Sequence, residues 1–361
     1  MVLHDVVVAG AGPVGLTVAL GLARSGRRVR VLERNADTAE HSRAPAIWPR
    51  TQEVLARFGV LDAFVSRGTA LERVTLHDAD RDRRLITVPL HELAGETDHP
   101  RLLLLPQSTT ERLLADAVRA EPTAELTFSA EVTGIADRGD RVAVAYRVGE
   151  TAGSEHTVEA RFVAGCDGAH GVTRGCIGAE LEGVTYDLGA ALADVAVPGA
   201  EGLGYPRIST RDGLAVAIRI DAGLWRLILP FAPRDETALD ERVTRAVQNL
   251  FPRATLPPGG PETVWQSEFA LHRRVATRFV AGRVALAGDA AHLNSPVGGQ
   301  GMNAGIHDAE RLVAALGTAL ETGPACLADY ARERRFAIET RVNRFTDRLT
   351  RVLQLVGPRA I

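Results

Sequence analysis

A short apolar run at residues 5–9, the turn sequence GAGPVG, a segment of helical period and a second apolar run ending at Glu33 follow one another at the start of the chain. That order constrains the fold more than any other feature. Gly10, Gly12 and Gly15 form G-x-G-x-x-G directly after the first run, LTVALGLARS carries apolar positions at helical spacing, and Gly26 supplies a stop. In such a strand–turn–helix–strand unit the first glycine makes the tight turn and the second lets backbone approach a pyrophosphate. The third lets the helix pack on the strand, and the phosphate sits at the helix N-terminus. Glu33 lies 23 positions after Gly10, close to the roughly 20 expected of the acid that binds a ribose hydroxyl. The unit predicts dinucleotide binding, against the plainer alternative of a glycine turn kept only for packing.

The same stretch invites a membrane or secretion reading, because residues 6–23 carry no charge and about 18 apolar residues begin to suffice for a span. Pro13 and four glycines interrupt the run, His4 and Asp5 stand where a signal peptide carries positive charge, and no small-residue cleavage pattern follows. Neither a span nor a leader is therefore expected. Cys166, Cys176 and Cys326 are too scattered for a disulfide framework, and no CxxC spacing suggests zinc or another metal site. A reducing cytoplasm fits this usage. The net charge of −3 gives no general pull toward nucleic acid or anionic lipid. All 42 basic residues are arginine, which excludes a P-loop lysine, a Schiff base and a lysine general base.

Two later stretches, ARFVAGCDGAHGVTR and GRVALAGDAAHLNSPVGGQGMNAGIHDAERL, each show an apolar run ending near an aspartate, Asp167 and Asp289. A parallel strand looks like this where it ends at the ligand crevice of a doubly wound sheet. After Asp289 comes the loop SPVGGQG and then a helical pattern, whose first N–H groups near Gly301, Met302 and Asn303 would offer positive potential to an anionic ring.

With these motifs in order, the chain resembles the single-component flavoprotein aromatic hydroxylases typified by para-hydroxybenzoate hydroxylase. The resemblance rests on GxGxxG with Glu33, HSRAPAIWPRTQEVLARFGV, LLLLPQSTTERLL, CDGAHGVTR and GDAAHLNSPVGGQGMN, which recur in the family's order. It implies an α/β fold: a doubly wound, Rossmann-like FAD-binding domain at 1–70, 100–175 and 277–325, interleaved with an antiparallel-sheet substrate domain at 71–99 and 176–276, and a C-terminal helix at 326–361. Carried over by position, Gly10, Gly12 and Gly15 resemble the glycines at the ADP pyrophosphate and Glu33, with Arg34 beside it, the acid at the adenosine ribose. Arg43 and Gln107 look like side chains reaching the flavin end or the pyrophosphate. Val132 is similar to the residue whose backbone meets adenine, Asp167 to one tied to FAD and pyridine-nucleotide use, and Asp289 to the aspartate on the ribityl chain. Gly301, Met302 and Asn303 resemble the backbone beside the flavin pyrimidine. Arg43 and Pro296 are the residues assigned nearest the chemistry.

The implied activity is FAD-dependent monooxygenation, with NAD(P)H and O2, of an aromatic phenolic or polyketide-like substrate through a flavin C4a-hydroperoxide. The alternative is an FAD-dependent reductase of a hydrophobic substrate without oxygen insertion; a halogenase is excluded because its lysine is missing. The resemblance carries no substrate-binding tyrosine or serine. The thioredoxin-like third domain of many polyketide-acting relatives is not expected, since the chain stops after an amphipathic helix at about 325–356. GLAVAIRIDAGLWRLILPF predicts a hairpin turning at Asp221-Ala222-Gly223. His292 is expected to be a hydrogen-bonding structural residue, and Trp225 and Phe231 to be core first and pocket wall second. His272, Arg273 and Arg274 are either a NAD(P)H patch or a solvated face. RERR at 332–335 reads as the wet face of a helix or a subunit contact, which leaves a homodimer open.

Overall fold

The structure, a computed structural model, describes residues 2–39, 44–149, 154–221, 223–232, 235–257 and 260–356. At its centre five parallel strands run in the order Val284–Leu286, Glu155–Gly165, His4–Ala9, Val29–Leu32 and Ala124–Thr127. His4–Ala9 is near-continuously apolar because both its faces are covered, as expected of a parallel sheet inside an α/β protein. On one face, Val6 and Val8 pack with Leu16 and Leu20 of the helix Pro13–Arg24 and with Leu312 and Leu316 of the helix Gly301–Thr322. On the other, Val7 and Ala9 meet Val142 and Val144 of an antiparallel pair, Ala130–Asp137 with Val142–Val148.

The second large sheet is mostly antiparallel and has eight strands: His292–Leu293, Glu262–Ala276, Leu181–Ala196, Leu224–Phe231, Ala215–Asp221, Arg207–Ser209, Arg73–Asp78 and Arg83–Pro89. The expected hairpin is present, with Ala217 opposite Leu227 and Gly223 turning at φ +70°, while Ala222 lies outside the described residues. One face of this sheet is sealed by the helix Leu239–Leu250, whose Val243, Ala246 and Val247 pack on Ala191, Ala217 and Leu227. Trp225 is fully buried there, the core role expected of it. The opposite face carries a smaller apolar group of Tyr186, Leu188, Ala190, Phe269 and Leu271. A bidentate ion pair is also buried in this sheet, with Arg226 Nε and Nη2 donating to the Asp194 carboxylate at 2.8 and 2.7 Å.

A three-stranded sheet of Ala46–Ile47, Leu102–Leu104 and Thr69–Leu71 lies between these layers in sequence. The C-terminal helical segment is interrupted: Leu327–Ala337 is α-helical, Ile338–Val342 is a π-turn, and Asn343–Val356 resumes the α-helix. At the π-turn the Thr340 hydroxyl donates to the Phe336 carbonyl at 2.6 Å, a side-chain bond that competes with the regular ladder. No helix among the described residues is long and apolar enough to cross a membrane.

Candidate functional site

The glycine turn shows three different reasons for glycine. At Gly10 φ is +97°, and a Cβ would sit 2.5 Å from the Cys166 carbonyl oxygen. At Gly15 a Cβ would sit 2.0 Å from the Gly10 carbonyl oxygen, so helix and strand approach too closely for any side chain. At Gly12 a Cβ would meet nothing within 4 Å. Gly10 and Gly15 are thus glycines for the protein's own packing, whereas Gly12 keeps backbone open to a cavity. Gly12 caps the helix Pro13–Arg24 without a side-chain bond, and Pro13 occupies the first turn, leaving the following N–H groups without intrahelical partners.

That cavity has a volume of about 220 Å³ and is walled by Gly10, Gly12, Glu33, Arg34, Val132 and Asp167, so six of the sequence-predicted residues share one concavity. Glu33 is buried; its Oε2 accepts from the Ala11 amide at 2.7 Å and its Oε1 from the Asn35 amide at 2.9 Å. A carboxylate has about four acceptor positions, so two amides leave capacity for a ligand hydroxyl. Asp167 accepts from the Thr173 amide at 2.9 Å and also from the Thr173 hydroxyl. Gly171 must stay bare, because its Cβ would fall 1.9 Å from the Asp167 carboxyl carbon. Cys166 also lines this wall, but burial pushes its thiol far up the scale and it is no nucleophile.

Sequence reasoning missed Glu111. It lines the cavity from the helix Gln107–Arg119, nearly fully buried, accepting from the Ala39 amide at 2.9 Å and from Gln107 Nε2 at 2.8 Å. Burial raises its carboxyl pKa, with the charge of Glu33 adding to the effect and the two donors opposing it. Gln107 is therefore engaged with Glu111 and is not a wall of the cavity. The signal available was the four-residue spacing of 107 and 111 on one helical face.

Asp289 stands at the surface on the short turn Gly288–Ala290. The turn abuts the start of the first helix, where a Cβ on Gly288 would be 2.9 Å from Val14 Cγ2. A buried network holds it. Asp308 Oδ2 accepts from the Gly288 amide at 3.0 Å and lies 2.6 Å from His292 Nε2, while Oδ1 accepts from Arg334 Nε at 2.6 Å. Burial opposes the charged carboxylate, but His292, Arg334 and the Gly288 amide outweigh it and bring the Asp308 pKa down to about 2. His292 has the expected structural role. RERR requires correction: Arg334 is 8% exposed and turned inward to Asp308, while Arg332 pairs with Asp329 at the surface. Helical spacing alone does not say which arginine faces in. Arg174, also unforeseen, donates to the carbonyls of Ala169 at 2.7 Å and Ala290 at 3.1 Å, tying the two aspartate turns together.

The glycine loop before the helix Gly301–Thr322 is a tight turn in which the Gly299 amide donates to the Pro296 carbonyl at 2.9 Å, with φ of +89° at Gly298 and +63° at Gly299. Pro296 is exposed, and a Cβ on Gly301 would meet nothing within 4 Å. Met302 packs partly into the core beside the first helix. The Asn303 side chain is fully buried: Oδ1 accepts from the Trp48 amide at 3.0 Å, and Nδ2 donates to Ala46 and Gly299 carbonyls at 2.9 and 2.7 Å. Its side chain fastens the loop, while the amides of 301–303 open the helix. Gly305, one turn further, would touch Val14 Cγ2 at 2.5 Å with a Cβ, so the glycine-loop helix and the first helix meet beside the Gly12 cradle. Arg43 lies outside the described residues.

A family model described as an FAD binding domain matches residues 4–346. The chain is also 32% identical over 357 residues to an uncharacterized aromatic compound monooxygenase of Bacillus subtilis, covering 98% of this chain and 69% of that one. It belongs to the FAD-dependent aromatic hydroxylases. Para-nitrophenol 4-monooxygenase of Pseudomonas sp. strain WBC-3 is 32% identical over 346 residues, covering 92% of this chain and 83% of that one. Among solved structures, p-nitrophenol 4-monooxygenase of Pseudomonas putida DLL-E4 superposes with a TM-score of 0.86 at 30% identity, over 98% of this chain and 88% of that one. These relatives are monooxygenases, so the chain is an FAD-dependent monooxygenase and the reductase alternative is not favoured. The residues fit the cofactor on geometric grounds: the Gly12 cradle is open and the Glu33 carboxylate on the same wall keeps acceptor capacity.

Proposed function

We propose that the chain hydroxylates a phenolic ring, with NAD(P)H as hydride donor and O2 as oxygen source, and that it works in the cytoplasm as a homodimer. FAD, when bound, supplies the acceptance of hydride and the activation of oxygen. The chain's residues bind and orient. Gly10, Gly12 and the start of the helix Pro13–Arg24 face the pyrophosphate, Gly15 keeps that helix against its strand, and Glu33 takes a ribose hydroxyl with Arg34 and Val132 around the adenosine. Asp167 shapes the turn between cavity and ribityl chain, and Asp289 receives ribityl hydroxyls. Gln107, through Glu111, sets the rim.

The amides of Gly301, Met302 and Asn303 hold negative charge at the pyrimidine end, fixed in place beforehand as donors are in an oxyanion hole. Pro296 stiffens that loop and Arg43 neutralises charge near the flavin. The apolar face of Tyr186, Leu188, Ala190, Phe269 and Leu271, left clear by the helix Leu239–Leu250, excludes water from the ring being oxygenated. The domain division is that given from the sequence, with the strand His292–Leu293 crossing from the FAD segment to pair with Glu262–Ala276.

The observation that carries this reading is the coexistence of an open Gly12 with a Glu33 carboxylate on one cavity wall, in a chain whose named relatives act on aromatic compounds and para-nitrophenol. NADPH and NADH oxidation is followed in the presence of FAD with and without a panel of phenols that includes para-nitrophenol. At least one phenol should raise the rate severalfold. Equal rates with and without every phenol, and no hydroxylated product, would remove the proposal.

A further inference from the structure

The glycine loop is gripped from two sides, and only one grip belongs to the FAD-binding layers. On that side Asn303 and Trp48 hold it, Trp48 Nε1 donating to the Gly298 carbonyl at 3.2 Å. On the other side lies the helix Asn343–Val356. A Cβ on Gly298 would come within 2.8 Å of Phe345 Cε1 and 3.1 Å of Leu349 Cδ1, so loop and helix are in direct contact. Beneath that contact the hydroxyls of Ser295 and Thr350, both fully buried, are hydrogen-bonded at 2.6 Å. Thr350 Oγ1 also lies 2.7 Å from the Thr346 carbonyl, which fixes its rotamer on the helix.

The helix is itself tied to the antiparallel sheet. Asp347 accepts from the Tyr186 hydroxyl at 2.8 Å and pairs with Arg273 at 3.5 Å and Arg351 at 3.0 Å. Burial and the Asp347 carboxylate push the Tyr186 pKa up to about 12, so the phenol remains the donor of this bond across the accessible pH range. One end of the loop is thus referenced, through Ser295, Thr350 and the helix, to the sheet that carries the apolar face.

We infer that Thr350 is a positioning residue: its bond to Ser295 sets the glycine loop, and with it the amides at the start of the helix Gly301–Thr322, at the height the flavin ring requires. The inference rests on the reading above that this loop faces the ring. The hydroxyls of this buried pair are 2.6 Å apart, and replacing Thr350 takes from the fully buried Ser295 hydroxyl its side-chain partner, whereas replacing Ser295 leaves Thr350 its bond to the Thr346 carbonyl. Neither hydroxyl touches the cavity that takes the ADP half, so its loss should move the loop without loosening the dinucleotide.

The test uses the full chain with FAD, comparing Thr350→Val, Thr350→Ser, Ser295→Ala and, as a control on the loop itself, Gly301→Val. Readouts are the FAD dissociation constant, the visible circular dichroism of the bound flavin, and the rate of its reduction by NADPH with and without para-nitrophenol. Thr350→Val should keep FAD affinity within about threefold, change the dichroism and slow reduction about fivefold or more, since small misplacements at a reacting centre cost far more than they do in binding. Thr350→Ser should restore the wild-type signals; its failure to do so would overturn the inference, as would a loss of FAD affinity beyond about tenfold in Thr350→Val, which marks general loosening. If Thr350→Val does not fold, Ser295→Ala carries the same readouts from the other partner. Wild-type dichroism and reduction in both variants, with Gly301→Val disturbed, would refute the role of Thr350 alone. Wild-type behaviour in Gly301→Val as well would refute the loop's place beside the ring and this inference with it.

Discussion

Replacing Glu33 with alanine removes the buried cavity carboxylate that we propose takes a ribose hydroxyl. The cost divides into two parts. The first is the ligand's own bond: a hydroxyl donating to a buried, charged acceptor is worth about 1.5 to 3 kcal/mol, which corresponds to about a 10- to 150-fold rise in the FAD dissociation constant. The second is the loss of the acceptors now serving the Ala11 and Asn35 amides. Both amides border a cavity of about 220 Å³, large enough for water to take over those bonds, so this part is small and acts on the apoprotein. The assay is titration of apoprotein with FAD and, separately, with FMN, which lacks the adenosine half. Glu33→Ala should weaken FAD within the stated range and leave FMN within about twofold. An FAD constant within about threefold of wild type, or equal weakening of FAD and FMN, would refute the assignment of Glu33 to the ribose.

Asp308 is held at about 2 against an ordinary carboxyl value of 3.8. A group depressed in the folded state contributes stability that is complete above the unfolded value and is lost as pH falls from 4 toward 2, here on the order of 2 kcal/mol. Asp308→Asn should therefore lower the unfolding free energy at pH 7 by about 2 kcal/mol or more in urea titrations, and an unchanged midpoint would show that the network does not stabilise the turn at Gly288. Arg226→Met strands the buried Asp194 carboxylate and should cost about 3 to 5 kcal/mol, whereas the double change Asp194→Leu with Arg226→Met should recover most of it; equal losses in single and double variants, measured by urea unfolding, would refute pairing as the cause.

Which features the sequence disclosed follows from the range of the forces involved. The strand His4–Ala9, the glycine turn and the helix Pro13–Arg24 are encoded within a few residues, by apolar period and by backbone conformations only glycine adopts at Gly10. The hairpin around Gly223 was legible for the same reason. Glu111, Asp308 and Arg334 were not, because a polar residue within a helical pattern looks alike whether it faces water or an inward partner. Asp308 meets Arg334 across 26 positions and His292 across 16, and no local rule joins them. The three-stranded sheet escaped for a related reason: Ala46–Ile47 is a strand only because Leu102–Leu104 pairs with it. Asn303 shows the intermediate case, in which sequence found the position for its backbone while the structure adds a side chain that fastens Trp48, Ala46 and Gly299.

The most direct measurement of oxygen insertion is turnover of a rate-stimulating phenol under ¹⁸O2 in ordinary water, with NAD(P)H and FAD present and the product analysed by mass spectrometry. The account predicts one heavy oxygen atom in each molecule of hydroxylated product, in amount tracking the NAD(P)H consumed. Product whose new oxygen comes from water, or a reduced product carrying no new oxygen, would contradict it.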